Sequence, residues 1–231
     1  MFYKKKKEPT RDQLIERSFG HKDNQSTDIL FLFPPTSIGK DHSHRYGKKD
    51  LGELKGDLIP LGIASLAAYL RKYKFCVAAL DCIALELSHK EIVEIIRRKK
   101  PRSIGISATT YALPASSTLA DRLRKEFPNL LIILGGAHAN VAGTHAARTI
   151  NSIDIISYHP EGETVILEIL KKFSNHDFNR MSFLNDIDVM KSIKGIIFKN
   201  RKEIIKNVPG EIIKNLDFLP LPARDLFPME R

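Results

Sequence analysis

The run Leu130–Asn140, LLIILGGAHAN, limits the possible folds more than any other stretch of the chain. Five apolar residues pass without a break into two glycines, and a helix-compatible segment follows. An unbroken apolar run of this length is the pattern of a parallel strand covered on both faces. Two glycines at its carboxyl end remove two Cβ atoms at the edge where open α/β sheets take their ligands. Gly135 and Gly136 are therefore the first candidate binding positions.

The pattern recurs along the chain. Asp28–Phe33 is a short apolar run stopped by Pro34 and Pro35, and Phe75–Leu80, Ser103–Ser107 and Asp154–Ser157 read as further strands. Between them lie segments with apolar residues at helical spacing: Leu61–Tyr73, Ser88–Lys99, Pro114–Phe127, Asn140–Ile150 and Glu161–Phe173. Ser88 and Glu91 form a capping box, and Pro60 suits a helix entry. Strands alternating with helices predict an α/β fold: a doubly wound, five-stranded parallel sheet of the flavodoxin/Rossmann-like type, with right-handed crossovers. Ligand loops then follow Phe33, Leu80, Ser107, Leu134 and Ser157.

Outside this unit, residues 1–27 read as a polar, basic N-terminal arm, either mobile or a loosely docked helix. Residues 28–174 form the α/β domain. Residues 175–231 read as a polar linker, a β-hairpin over Gly195–Lys206 turning at Asn200 and Arg201, and an extended, proline-bearing connector.

Composition narrows the function. The chain has 231 residues, 42% of them hydrophobic and 28% charged, which is enough apolar material for a core. No segment approaches the ~18–20 apolar residues of a membrane span, and no secretory signal follows the basic start. Only Cys76 and Cys82 are present, at a spacing that fits no zinc motif, so a cytoplasmic chain with reduced thiols is expected. The net charge of +10 is scattered over tails, loops and helix ends without interleaved aromatics, which disfavours nucleic acid as a partner.

The loops exclude more. A dinucleotide site needs a glycine-rich turn after the first strand, and Pro34, Pro35, Thr36 and Ser37 stand there instead. No Walker sequence and no serine–histidine–acid order stands out, so no catalytic set is expected. His42 and His44 lack a third ligand nearby, so no metal site is expected either. The loops that remain are small, hydroxyl-bearing or glycine-rich: Ser107, Ala108, Thr109 and Thr110; Gly135, Gly136, Ala137 and His138; Glu161, Gly162 and Glu163. Small residues make room, while hydroxyls and backbone amides bond polar edges. Such loops suit a large, flat, amide-fringed ligand.

In the order and spacing of these pieces, residues 29–173 resemble the cobalamin-binding (vitamin B12-binding) N-terminal domain of cobalamin-dependent radical SAM enzymes. The matching residues are Pro34 and Pro35, the Pro60–Gly62 entry with the helix after it, Ser107 to Thr110, Gly135 to His138, and Glu161 to Glu163. Cobalamin domains of the methionine synthase type carry Asp-x-His-x-x-Gly, then Ser-x-Leu, then Gly-Gly. Here the series reads Asp57, Ile59 and Gly62, then Ser107 and Thr109, then Gly135 and Gly136. Ile59 stands where the cobalt-ligating histidine would be, and its side chain has no lone pair to offer. The resemblance thus implies cobalamin held base-off and His-off, with the nucleotide tail beside the strand ending at Leu134. The implied cofactor-binding set is Pro35, Thr36, Asp57, Ile59, Gly62, Ser107, Thr109, Thr110, Gly135, Gly136, His138, Glu161 and Gly162.

Two departures accompany the likeness. Relatives usually read Gly-Glu-Gly-Glu before the fifth helix, whereas Pro160 occupies the first position here and removes an amide donor. A radical SAM site needs three closely spaced cysteines, and this chain has two in all. The resemblance therefore implies the cobalamin half alone, whether truncated, split or a remnant. Its iron–sulfur cluster and S-adenosylmethionine would lie in a missing or partner radical SAM domain, where methyl transfer or a related reaction would occur. A cofactor-free interaction scaffold is the rival reading. For His138 and Asp57 alike, cofactor contact and a purely structural hydrogen bond both stay open.

Overall fold

The computed structural model describes residues 9–20, 26–35 and 59–227. Its frame is a single sheet with helices on both faces. The strands are β1 (Ile29–Phe33), β2 (Val77–Asp81), β3 (Ser103–Ser107), β4 (Leu131–Gly135), β5 (Ile155–Ser157), β6 (Ile196–Asn200) and β7 (Glu203–Lys206). The spatial order is β2-β1-β3-β4-β5-β6-β7. The first five strands run parallel, and β6 and β7 are antiparallel additions. The sequence reading of a parallel α/β sheet holds, but the sheet has seven strands. The expected hairpin is not a separate unit, because β6 pairs directly with β5 through Ile156 and Ile197.

The helices are α1 (Arg11–Arg17), α2 (Leu61–Lys72), α3 (His89–Lys99), α4 (Leu113–Glu126), α5 (Ala137–Thr149), α6 (Gly162–Ser174), α7 (Arg180–Asn185) and α8 (Ile187–Ser192). Alternate strand residues feed two cores. Leu30, Leu32, Ile104, Ile106, Ile132 and Leu134 pack with α3, α4 and α5 on one face. Ile29, Phe31, Leu131 and Ile133 pack with α2 and α6 on the other. Both faces of β1, β3 and β4 are thus covered, which is why β1 and β4 read as continuous apolar runs.

Local chemistry fixes the boundaries. Ser88 accepts from the Glu91 amide while the Glu91 carboxylate accepts from the Ser88 amide, the reciprocal box expected from sequence. The second strand starts two residues later than expected. Lys74 takes a φ of 66° and Phe75 donates to Leu70 O, which closes α2 before β2 can begin.

Of the three flanking segments, the described part of the arm takes the docked-helix form of its two readings, and the other two differ from theirs. The arm includes α1, which buries Leu14 and Ile15, and Ser18 O accepts from Ala79 N on the edge strand β2. A helix thereby covers an otherwise open sheet edge. The supposed linker folds into α7 and α8, capped by Asn179 and Asp186, with Phe183 and Met190 buried against the α6 face. The connector is held down on α2: Ala223 N donates to Ala64 O, Asp225 accepts twice from Arg71, and Leu226 and Phe227 are buried.

Candidate functional site at the carboxyl edge of the sheet

The strand order reverses direction between β1 and β3, and crevices at such a switch point are where open α/β sheets bind ligands. The expected site residues in the described segments fall at this edge, in two clusters.

The first cluster joins β3 to β4. Register pairs Ser107 with Gly135. Beyond the strands, Ala108 N donates to Gly135 O at 3.0 Å and His138 N donates to Ala108 O at 3.1 Å. The β3–α4 loop and the first turn of α5 are thus laced through the backbone of Ala108, a role that residue type could not have announced. Thr109 is exposed, its hydroxyl accepting from Ala112 N at 3.3 Å. Thr110 Oγ1 lies 3.2 Å from His138 Nδ1. The other ring nitrogen, Nε2, is buried with no hydrogen-bond partner. A buried polar atom left unpaired costs about 1–3 kcal/mol.

The two glycines divide their work. A Cβ on Gly135 would meet nothing within 4 Å, so the position opens on free space. Gly136 has φ 92° and ψ −176°, a combination essentially reserved for glycine. A Cβ there would lie 2.9 Å from both Ala108 N and Ala108 O and 3.0 Å from Ser107 Oγ. The expectation that both glycines clear a path is thus corrected: Gly135 leaves room, while Gly136 lets the chain turn hard against β3. Because of that turn, α5 starts at Ala137, three residues before its expected start, and a kink at Ala142 separates its first turn from the rest.

The second cluster joins the entries of α2 and α6. Ile59 is half-buried ahead of α2, and Gly62 is exposed with open space where a Cβ would project. Gly162 sits close under α2, since a Cβ there would be 3.2 Å from Leu66 Cδ2. Glu163 accepts from the Ser65 hydroxyl at 2.6 Å, a tie between the two helices that the sequence did not signal. Glu161 donates its amide to His159 Nδ1 at 3.1 Å, next to exposed Pro160. Pro35 is buried just past β1. Thr36 and Asp57, like His42 and His44, lie outside the described residues.

Three titrating groups near this edge depart from their ordinary values. Burial pushes the Asp81 carboxyl at the end of β2 upward, and the amides of Ala84 and Ile83 partly offset this. Burial and the Arg122 charge push His89 downward, towards its neutral form. Tyr69 on α2 is pushed up to about 12, first by burial and then by Tyr73 and Glu163.

A mostly parallel sheet with small residues and glycines at its carboxyl edge, one of them opening on free space, is an α/β arrangement that can take a ligand at that edge. The sequence profile of the B12 binding domain matches residues 47–169, and the chain belongs to that family. It is 28% identical over 172 residues to an uncharacterized methyltransferase of Pyrococcus horikoshii, covering 74% of this chain and 35% of the relative. It is 30% identical over 165 residues to an anaerobic magnesium-protoporphyrin IX monomethyl ester cyclase of Synechocystis, covering 71% of this chain and 31% of the relative. The chain thus spans about a third of the length of these curated relatives. Among solved structures, the apo form of the cobalamin-dependent S-adenosylmethionine radical enzyme OxsB superposes with a TM-score of 0.57 at 14% identity, over 87% of this chain and 24% of that one. This last likeness is one of fold. Among the described residues no helix is long and apolar enough to cross a membrane.

Proposed function

We propose that this chain holds cobalamin at the carboxyl edge of its sheet, base-off and His-off, and presents it to a radical SAM catalytic domain or subunit. The observation that carries the reading is the carboxyl edge where β3 and β4 end side by side. Gly135 is open there, and His138 Nε2 is buried without a partner, in a chain of the B12-binding family.

The residues fit the group. Ser107, Thr109, Thr110, Gly135, Gly136 and His138 would flank the nucleotide tail. Pro35, Ile59, Gly62, Glu161 and Gly162 would face the corrin and its lower side, with Thr36 and Asp57 assigned there from the sequence. Bound cobalamin supplies cobalt chemistry, such as carrying a methyl group, that no side chain can supply. The chain's own part is to seat the corrinoid and keep water and imidazole from its lower face, where Ile59 offers only hydrocarbon. The iron–sulfur cluster and S-adenosylmethionine belong to the catalytic partner in this reading, and the domain performs no reaction alone. A cytoplasmic setting is part of this reading.

The test is to incubate the purified chain with hydroxocobalamin, desalt it and read the visible spectrum. Near-stoichiometric red protein is the expected result, and colourless protein overturns the proposal. Reduction to the cobalt(II) state then separates the finer claim. Electron paramagnetic resonance should show cobalt hyperfine lines without nitrogen splitting, and lines split by one nitrogen would refute the base-off, His-off assignment.

A further inference from the structure

We propose that the amino edge of the sheet carries a second ligand site, which takes a small aromatic anion: a flat ring system bearing a phosphate or carboxylate. The site lies at the opposite end of the strands from the cobalamin edge and does not depend on the cobalamin reading.

Two matching turns build the cavity. α3 and α4 pack on the same face of the sheet, and each is followed two residues past its end by a proline, Pro101 or Pro128, that cannot extend the helix. β3 and β4 then pair in register from Ser103 and Leu131, which sets the two turns side by side. Phe178, between α6 and α7, reaches the same end from the other face, held there by its amide bond to Phe173 O. Together these segments line a cavity of about 400 Å³, within the roughly 300–1,000 Å³ of small-molecule pockets. β3 and β4 have five residues each, so at about 3.3 Å per residue the cavity lies roughly 15 Å from the carboxyl edge.

The walls select the body of the ligand. Phe127 and Phe178 are half-buried, Ile96 and Leu130 are buried beneath them, and the two prolines add further flat apolar surface. Walls of this kind favour a planar, apolar group. The rim selects its charge. The one carboxylate of the lining, Glu126, is already held by Arg97 at 2.7 Å, and that guanidinium lies 5.9 Å from the centre of the Phe127 ring. Arg102 lies over the Phe178 ring at 4.1 Å, with its Nε donating to Ser26 Oγ. The exposed Lys100 ammonium and the exposed Asn129 side-chain amide have no partner among the described residues. The acid of the rim is thus neutralised while donors and positive charge remain to be matched, and an anionic group attached to a ring answers both features at once.

The test uses the full chain and 1-naphthyl phosphate, whose fluorescence stands clear of a protein without tryptophan. Equilibrium dialysis should show one molecule bound per chain, with a Kd on the order of 0.1–1 mM. 1-Naphthol, which lacks the anion, and inorganic phosphate, which lacks the ring, should each compete about tenfold more weakly than the probe itself. Lys100→Gln should weaken the probe about fivefold. Lys90→Gln makes the same charge change at the far, exposed end of α3 and should leave the affinity unchanged. Asn129→Lys should strengthen binding about threefold, and it keeps the test decisive if Lys100→Gln fails to fold by circular dichroism. Excess hydroxocobalamin should not displace the probe. Absence of saturable binding, equal effects of the two glutamine variants, an unchanged affinity in Asn129→Lys, or displacement by hydroxocobalamin would each overturn the site. Competition by naphthol or phosphate as strong as that of the probe would overturn the ligand class.

Discussion

Two neighbouring glycines should respond in opposite ways to the same methyl group. In Gly136→Ala the new Cβ is forced into a backbone conformation that costs about 1–3 kcal/mol for any other residue. It also arrives 2.9 Å from Ala108 N and O. Those atoms cannot easily retreat, because each is already bonded, the amide to Gly135 O and the carbonyl to His138 N. Overpacking of this kind adds about 1–3 kcal/mol. A combined loss of about 3–4 kcal/mol should lower the thermal midpoint by roughly 10 °C in a chain of this size. Gly135→Ala meets nothing within 4 Å and should stay within about 0.5 kcal/mol of the parent, under 2 °C. A larger side chain, Gly135→Leu, should keep that midpoint yet lose hydroxocobalamin uptake, since it fills the open edge of the crevice. The assays are melting by circular dichroism and retention of colour after desalting. The division of roles fails if Gly136→Ala melts with the wild type, or if Gly135→Leu takes up cobalamin normally.

Phe183→Ala should cost about 3–5 kcal/mol and lower the thermal midpoint by more than 6 °C, because its ring is fully buried against Phe173 and His176; a change under 2 °C would mean that α7 is not part of the core. Asp154→Ala should cost about 3–5 kcal/mol in urea titrations, since its buried carboxylate joins Arg124 and Arg180 at 2.6 Å each and accepts from Ile132 N. Ser88→Ala should lose about 1 kcal/mol near neutral pH, and its stability should vary less with acid. Glu91 is held down to about 2 from an ordinary 4.5, chiefly by the Ser88 hydroxyl and then by the Ser88 amide and Arg11, so its contribution is present above pH 4.5 and is lost as the pH falls towards 2. An unchanged slope of urea midpoint against pH over that window would reject the Ser88 contribution.

What could be read from the sequence follows the residues whose environment is set by their own neighbourhood. β1 and β4 were visible because covered parallel strands have no polar face to interrupt them, and α3 because Ser88 and Glu91 cap it within four residues. α7 and α8 were missed for the opposite reason. Each is six residues long and carries one fully buried large residue, Phe183 or Met190, too few to make a period. Their signal lay in Asn179 and Asp186, which cap the two turns by accepting from Ser182 N and Val189 N. The pairing of β6 with β5 could not be read either, since a hairpin's sequence fixes its own register and not the strand it will join.

The site was legible in part for a related reason. Gly62, Gly135 and Gly136 read identically in the sequence, yet two of them face open space and the third is demanded by the turn itself. Likewise His138 as a letter left structural and ligand roles open, and the structure answers with one nitrogen engaged and the other stranded. Side-chain identity names the chemistry a position can offer, and the backbone decides how much of it remains available. At this edge the bonds made through Ala108 satisfy the main chain without using Nε2 of His138.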